Sequence, residues 1–353
     1  MPETKLMSDF RVLFGENRLR SIKPEYYEWK IVQNCFKRGQ IYLEKQDGII
    51  AGSTTITPKK ISCFGEELLA AEIGDTFTHP DYRKRGIFSR GVKSCTRFAI
   101  SQGIEVIYGT PNSQSLPGYQ NKLGYPTCSY VKVNNLIKNL KILMPTIKSI
   151  VKLILLRDIQ DQYQSLIALW QQWVSQLFIF RSKGHLPKES FDICLIDKFK
   201  HEIDGLWGVP RYLFFTIRDN IYLNWRYFDH PDTYQVLIAE EVGEPLGYAV
   251  TKLSKDGKIG TICDFITIED RMDVFAALIR ESEKMLKKAG VDFIQLFCVE
   301  DSPYFQTLLN LGYYDLGPKK RQPIIVYAGT EYGKRIIETD AKWHFTIADS
   351  DLV

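Results

Sequence analysis

The stretch THPDYRKRGIFSRG, residues 78–91, sets three cations, Arg83, Lys84 and Arg85, directly before Gly86, where an apolar strand (66–78) gives way to a predicted helix (87–102). A strand that enters a helix through a glycine leaves the first helical N–H groups without intrahelical partners, and their aligned dipoles favour an anion. Gly86 lets a phosphate approach the backbone, Arg83 and Arg85 can add charge-assisted bonds, and Lys84 a point charge. Pro80 stops the preceding strand. The same residues also suit a solvated loop or a surface for another protein, so the spacing alone leaves both readings open.

Outward from the turn, 40–43, 48–57 and 66–78 read as strands, 104–109 as a buried strand, and 120–122 as part of a short helix ending at Gly124. Strands, then helix, then strand predict a mixed α/β fold. The second half repeats the order. Trp29 precedes Gly52 by 23 residues and Trp225 precedes Gly247 by 22, and GYQNKLGYP (118–126) is echoed by QTLLNLGYY (306–314). An offset of about 195 residues is a duplication rather than a solenoid repeat. The predicted fold class is therefore α/β (α+β), two copies of one mixed, mostly antiparallel sheet flanked by helices.

With that context, HPDYRKRGIFSRG resembles the acyl-coenzyme A signature of the GNAT N-acetyltransferases, which reads Arg or Gln, two residues, Gly, one residue, then Gly or Ala. The pattern falls on Arg83, Gly86 and Phe88, and the phenylalanine departs from the small residue expected. The resemblance covers about residues 25–130, including LLAAEIGDTFTHP, IEVIYGTPN and GYQNKLGY, in the family's order. It implies acetyl-coenzyme A as co-substrate, bound by Arg83, Lys84, Arg85, Gly86, Ile87 and Phe88 at the diphosphate. Backbone groups of Gly74, Thr76 and Thr78, with Asn112, would hold the pantetheine arm. It also implies Glu72 as the base that accepts the amine's proton and Tyr119 as the acid that protonates the departing sulfur. Asp75, three residues after Glu72, faces the other side of a regular strand. A bulge there, common in the family, would swap the faces, so Asp75 stands in reserve. For either carboxylate a plain structural pairing is as compatible with the sequence, and Tyr119 can also be a ring packed under the cofactor.

In the second copy the corresponding turn reads FITIEDRMDVFAA, with Glu269 and Asp270 where cations are needed, and Thr307 stands at the place of Tyr119. No acyl-coenzyme A is expected there. Trp225, Arg226 and Tyr227, with His230, could recognise an acceptor or belong to a core. Domain boundaries are expected at 1–135, 136–184 (a helical linker) and 185–353. In NLIKNLKILMPTIKSIVKLILL (135–156), Lys138, Lys141, Lys148 and Lys152 fall within a sector of about 80° on a helix, divided at Pro145. Such a helix can touch an anionic membrane peripherally or pack between domains.

Composition bounds the rest. Lys plus Arg number 46 against 42 Asp plus Glu, an excess too small for a general polyanion binder, so no nucleic-acid partner is expected. Seven cysteines without CxxC spacing and five histidines without ligand spacing predict neither disulfide framework nor metal. The opening residues lack a signal peptide, and the charge-free run 162–180 is too polar to span a membrane, so a cytoplasmic protein is expected. Only Cys95 lies near the motif, inside the helix, so direct transfer to a primary amine of a small molecule or sugar precursor is the expected chemistry. The alternatives are a Fem-like aminoacyl transferase, which generally lacks the diphosphate turn, and a non-catalytic acyl-coenzyme A-binding or interaction protein.

Overall fold

The computed structural model describes residues 25–140, 190–207, 212–268, 271–340 and 342–350. A single helical turn, Glu28–Val32, leads into β1 (Gln40–Gln46), β2 (Ile49–Cys63) and β3 (Glu66–Thr78), then α1 (Ile87–Ser101), β4 (Val106–Gly109) and α2 (Leu116–Lys122). Next come β5 (Val133–Asn139), β6 (Asp192–Ile196), β7 (Phe214–Thr216) and α3 (Asn220–Tyr227). The second copy then runs β8 (Gln235–Glu241), β9 (Glu244–Leu253), β10 (Ile259–Thr267), α4 (Met272–Lys288), β11 (Phe293–Val299) and α5 (Pro303–Asn310), followed by β12 (Tyr314–Asp315), β13 (Ile325–Val326) and α6 (Glu331–Glu338). The duplicated order of the sequence is the duplicated order of the fold.

Local chemistry explains the hairpins. Asp47–Gly48 between β1 and β2, Phe64–Gly65 between β2 and β3, and Val242–Gly243 between β8 and β9 are each a pair with positive φ. Two residues of that conformation match the twist of antiparallel strands. The parallel β3–β4 and β10–β11 pairs are instead bridged by the long helices α1 and α4.

One sheet has the order β1-β2-β3-β4-β13, with β7 added to the far end of β2. The other has the order β12-β5-β11-β10-β9-β8-β6. The halves therefore exchange strands: β5, following the first copy, pairs along its whole length with β11, and β13, following the second, closes the edge of β4. This corrects the helix that lysine spacing predicts from 135, because the first residues of that segment are strand. Lys138 is not on a basic helical face; its Nζ lies 2.8 Å from Glu283 and donates to the carbonyl of Leu311. Residues 141–156, which carry the rest of the predicted membrane-contacting helix, and the 162–180 run lie outside the described residues.

Three apolar clusters set the layers. Ile56, Ile73, Val92, Cys95, Tyr119 and Tyr125 join the first sheet to α1 and α2. Leu136, Phe265, Phe275, Leu278 and Tyr304 join the second sheet to α4 and α5. Between the sheets, Ile61, Ala70, Tyr108, Trp225, Tyr248, Phe297 and Trp343 form a shared core. β3 borders two of these layers.

Candidate active site

After β3 the chain makes a short turn at Pro80–Tyr82, and Gly86, with φ of 77°, caps α1 without any side-chain acceptor. Lys84 also has positive φ, 62°. The N–H groups of Ile87, Phe88 and Ser89 are thus left for an acceptor from outside the helix, the condition for an anion site. Arg83, Lys84 and Arg85 are all exposed around it. The Arg85 guanidinium lies 4.8 Å over the Tyr82 ring, whose hydroxyl donates to Asp47. Phe88 turns away from this rim. Its ring packs edge-on to Tyr119 and sits so near Gly118 that a Cβ there would come within 2.7 Å of it. A glycine on α2 thereby accommodates the motif's missing small residue.

β3 and β4 are paired only at Ala70–Val106, Ala71–Ile107 and Glu72–Tyr108. β3 runs on to Thr78, held by β2 along its other edge. Beyond Glu72 no strand pairs with the β4-facing edge of β3 among the described residues, and such an edge can accept an extended amide-bearing arm. α2 brings Tyr119 to this gap: its hydroxyl lies 2.8 Å from that of Thr76. Asn112 precedes α2, and its Oδ1 already accepts from the N–H groups of Gln114 and Ser115.

The two carboxylates end up on one side. In the β2–β3 register Thr55 faces Gly74 and Ser53 faces Phe77, so Asp75 and Thr76 together oppose Thr54, a one-residue bulge with Asp75 at φ 46°. The extra residue inverts the alternation, and Asp75 joins Glu72 on the face turned to the shared core. Asp75 accepts from Lys30 Nζ at 2.8 Å and from Thr55 at 3.3 Å. Glu72 lies 2.9 Å from Lys59 Nζ. All four of these ionised side chains are at most 7% exposed.

Lys59 carries the chain of charges onward. It donates to the backbone oxygen of Asp349, as does Tyr108, both at 2.9 Å. The Asp349 carboxylate is 2.6 Å from Arg218, and Arg218 Nε donates to both oxygens of Asp264. Tyr227, Tyr248 and Thr346 also donate to Asp264. Burial alone would raise the Asp349 carboxyl, but Arg218, Lys59 and His344 outweigh it and hold that carboxyl below its usual value. Lys59, Arg218 and Asp264 read in the sequence as ordinary strand and loop charges, and no spacing marks them out.

Residues 13–128 match the family model of the acetyltransferase (GNAT) domain. The match falls on the first copy. No curated protein sequence matches the chain. Among solved structures it is similar to a probable N-acyltransferase from Enterococcus faecalis V583, with 14% identity, 92% of this chain and 70% of that one covered, and a TM-score of 0.57. It is similar also to Saccharomyces cerevisiae N-myristoyltransferase with bound myristoyl-CoA (13%, 92% and 76%, 0.58) and to a tandem GNAT protein from the clavulanic acid biosynthesis pathway (10%, 92% and 95%, 0.56). At such identities the likeness is one of fold. Together these give the chain a GNAT-like fold, with the family match on its first copy.

The first copy shares its core with the second, and there the aromatic entry finds its place. Trp225 stacks on Trp29 at 4.4 Å and its carbonyl accepts from Trp29 Nε1, so the two tryptophans that mark the duplication meet. Arg226 lies over the rings of Trp29, Tyr227 and Tyr234. Trp225, Arg226 and Tyr227, which the sequence leaves between an acceptor site and a core, are at most 7% exposed and packed against protein. Burial, with Arg226 and Lys252 nearby, pushes the His230 imidazole down to about 2, so it is neutral.

Glu269 and Asp270 lie outside the described residues, and α4 starts without a side-chain cap. Asp273 in its first turn is bridged by Arg271 at 2.5 Å. Thr307 lies on α5, and Tyr304 of the same helix reaches the third strand instead, its hydroxyl accepting from the N–H of Thr267 at 3.1 Å. Among the described residues there is no cluster of metal-ligating side chains and no helix long and apolar enough to cross a membrane.

Proposed function

We propose that the chain is an N-acetyltransferase that moves acetyl from acetyl-coenzyme A to a primary amine of a small molecule or sugar precursor by direct transfer. The carrying observation is that β3 delivers both ends of a donor site: an uncapped cationic helix start at its terminus, and Thr76 with the Tyr119 hydroxyl at its open edge. The diphosphate would sit on Gly86, Ile87 and Phe88 amides with Arg83, Lys84 and Arg85 around it, and the pantetheine along Gly74, Thr76 and Thr78 toward Asn112.

In the transfer, the amine nitrogen attacks the thioester carbon, the C–S bond breaks as the tetrahedral intermediate collapses, and Tyr119 gives its phenolic proton to the sulfur. Glu72 takes the amine's proton directly or through water, with Asp75 beside it on the same face. The Lys30–Asp75 and Lys59–Glu72 pairs flank the reacting end with charge, which supports a short acyl group over a long chain. The second copy, with acidic Asp273 in the first turn of its helix and its edge amide taken by Tyr304, serves as frame and binds no donor.

Calorimetric titration with acetyl-coenzyme A tests the site. Wild type should bind, and Arg83→Glu and Gly86→Glu should not; equal binding by all three removes the turn from the site. Turnover assays with an amine panel test the chemistry: faster transfer of myristoyl than of acetyl would overturn the short donor, and tight binding without transfer to any amine would leave a binding protein.

A further inference from the structure

Arg90, on the first turn of α1, is fixed from two sides. Its Nε and Nη2 donate to the two carboxylate oxygens of Glu44 at 3.0 and 2.6 Å, and Glu44 is itself held by Tyr42 and Gln46 at 2.8 and 2.9 Å. Its third nitrogen, Nη1, donates to the carbonyl of Arg85 at 2.9 Å, and its backbone N–H donates to the carbonyl of Gly86 at 3.0 Å. One residue therefore binds both carbonyls that flank Gly86.

In a trans peptide the C=O and the N–H point in opposite directions. Tying the carbonyls of Arg85 and Gly86 to Arg90 turns the N–H groups of Gly86 and Ile87 to the other side. Glycine does not hold such an arrangement by itself, because it tolerates a flipped peptide at little cost. A flip would aim the Arg85 carbonyl where an anion must sit. We propose that Arg90 is a positioning residue of the donor site, locking the Arg85–Gly86 peptide so that its N–H is presented to the diphosphate, with Glu44 orienting Arg90 for that task. This rests on the turn being the diphosphate site. Arg90 is not one of the phosphate-binding cations: its charge is met by the bidentate carboxylate.

The experiment compares Arg90→Ala, Arg90→Lys, Glu44→Gln and Arg83→Ala by calorimetry with acetyl-coenzyme A at low and high salt, alongside kcat and KM. Arg90→Ala should weaken binding about tenfold with kcat at saturation unchanged, the scale of one lost hydrogen bond to a charged donor. Its salt dependence should match wild type, since no charge facing phosphate is removed, whereas Arg83→Ala should flatten it. Arg90→Lys, able to keep one donor on the Arg85 carbonyl, should recover part of the loss, and Glu44→Gln should lose less than Arg90→Ala. Wild-type affinity in Arg90→Ala, or a salt dependence flattened as in Arg83→Ala, would overturn the positioning role while leaving the site intact. If Arg90→Ala does not fold, unchanged affinity in Glu44→Gln decides against it. Failure of wild type to bind acetyl-coenzyme A removes the diphosphate site, and this proposal with it.

Discussion

The hydroxyls of Tyr119 and Thr76 lie 2.8 Å apart, one on the short helix α2 and the other in the bulge of β3. The tyrosine is 3% exposed and braced edge-on by Phe88 and Tyr125, so its ring has little freedom to leave. A phenol fixed at the gap between β3 and β4 can act on a sulfur without contributing much to holding the rest of the donor. Tyr119→Phe should therefore lower kcat by about a hundredfold, the low end for general acid catalysis, with donor affinity unchanged. Unaltered turnover would take the acid role from Tyr119.

Gly86 needs its lack of a side chain twice over. Its φ of 77° is strained for most residues, and a Cβ there would stand 3.1 Å from Arg90 Nη1. Asparagine tolerates this conformation better than β-branched residues do. Donor affinity should fall in the order Gly86, Asn, Val at this position, by calorimetry, with thermal midpoints changing little because the turn is exposed. Equal affinity for Gly86→Val and wild type would mean that the turn's conformation does not matter to binding.

Phe88 and Gly118 form a matched pair. Any Cβ on Gly118 meets the Phe88 ring at 2.7 Å, inside the closest approach of real side chains. Gly118→Ala should cost about 1–3 kcal/mol as an overpacking defect, and Phe88→Leu in the same chain should restore part of it. Urea midpoints of the two single variants and the double variant check this. Additive losses would show that the two sites are not coupled.

How far the sequence discloses this arrangement follows from the range of each signal. Hairpin turns, the glycine before α1 and the doubled order of elements are set by neighbouring residues, and they are legible. Tyr119 stands out only through the resemblance of GYQNKLGY. The face of Asp75 is not legible from the residues themselves, because a single inserted residue reverses strand alternation and no residue type announces the insertion; only the resemblance keeps it in reserve. β5 is equally hidden: VNNLIKN is a modest strand pattern, and its partner β11 lies in the other half of the chain. Lys59 and Arg218 resemble surface charges until the strands opposite them bring Glu72, Asp349 and Asp264. Trp225 and Arg226 have the composition of a recognition site, and only packing shows them to be core.

The Arg218–Asp349 pair gives the clearest pH dependence. Both side chains are at most 2% exposed, and Asp349 ties the end of the described chain to both sheets, through Lys59 and Tyr108 on one side and Arg218 on the other. Its folded carboxyl titrates below the usual 3.8. A depressed carboxyl stabilises the fold fully above its unfolded value, and that contribution disappears as pH falls through the folded value. Asp349→Asn keeps the shape and deletes the charge, leaving Arg218 to Asp264 alone. At neutral pH the variant should be less stable by about 3 kcal/mol, the scale for breaking one partner of a buried pair. Below 3.8 the difference should shrink, because the unfolded chain then takes up a proton that folded Asp349 does not, and it should vanish once pH passes the depressed folded value. Urea unfolding of both proteins at neutral pH and under acid checks the sign. A gap that is absent at neutral pH, or that widens in acid, would mean that the Asp349 charge does not hold the two halves together.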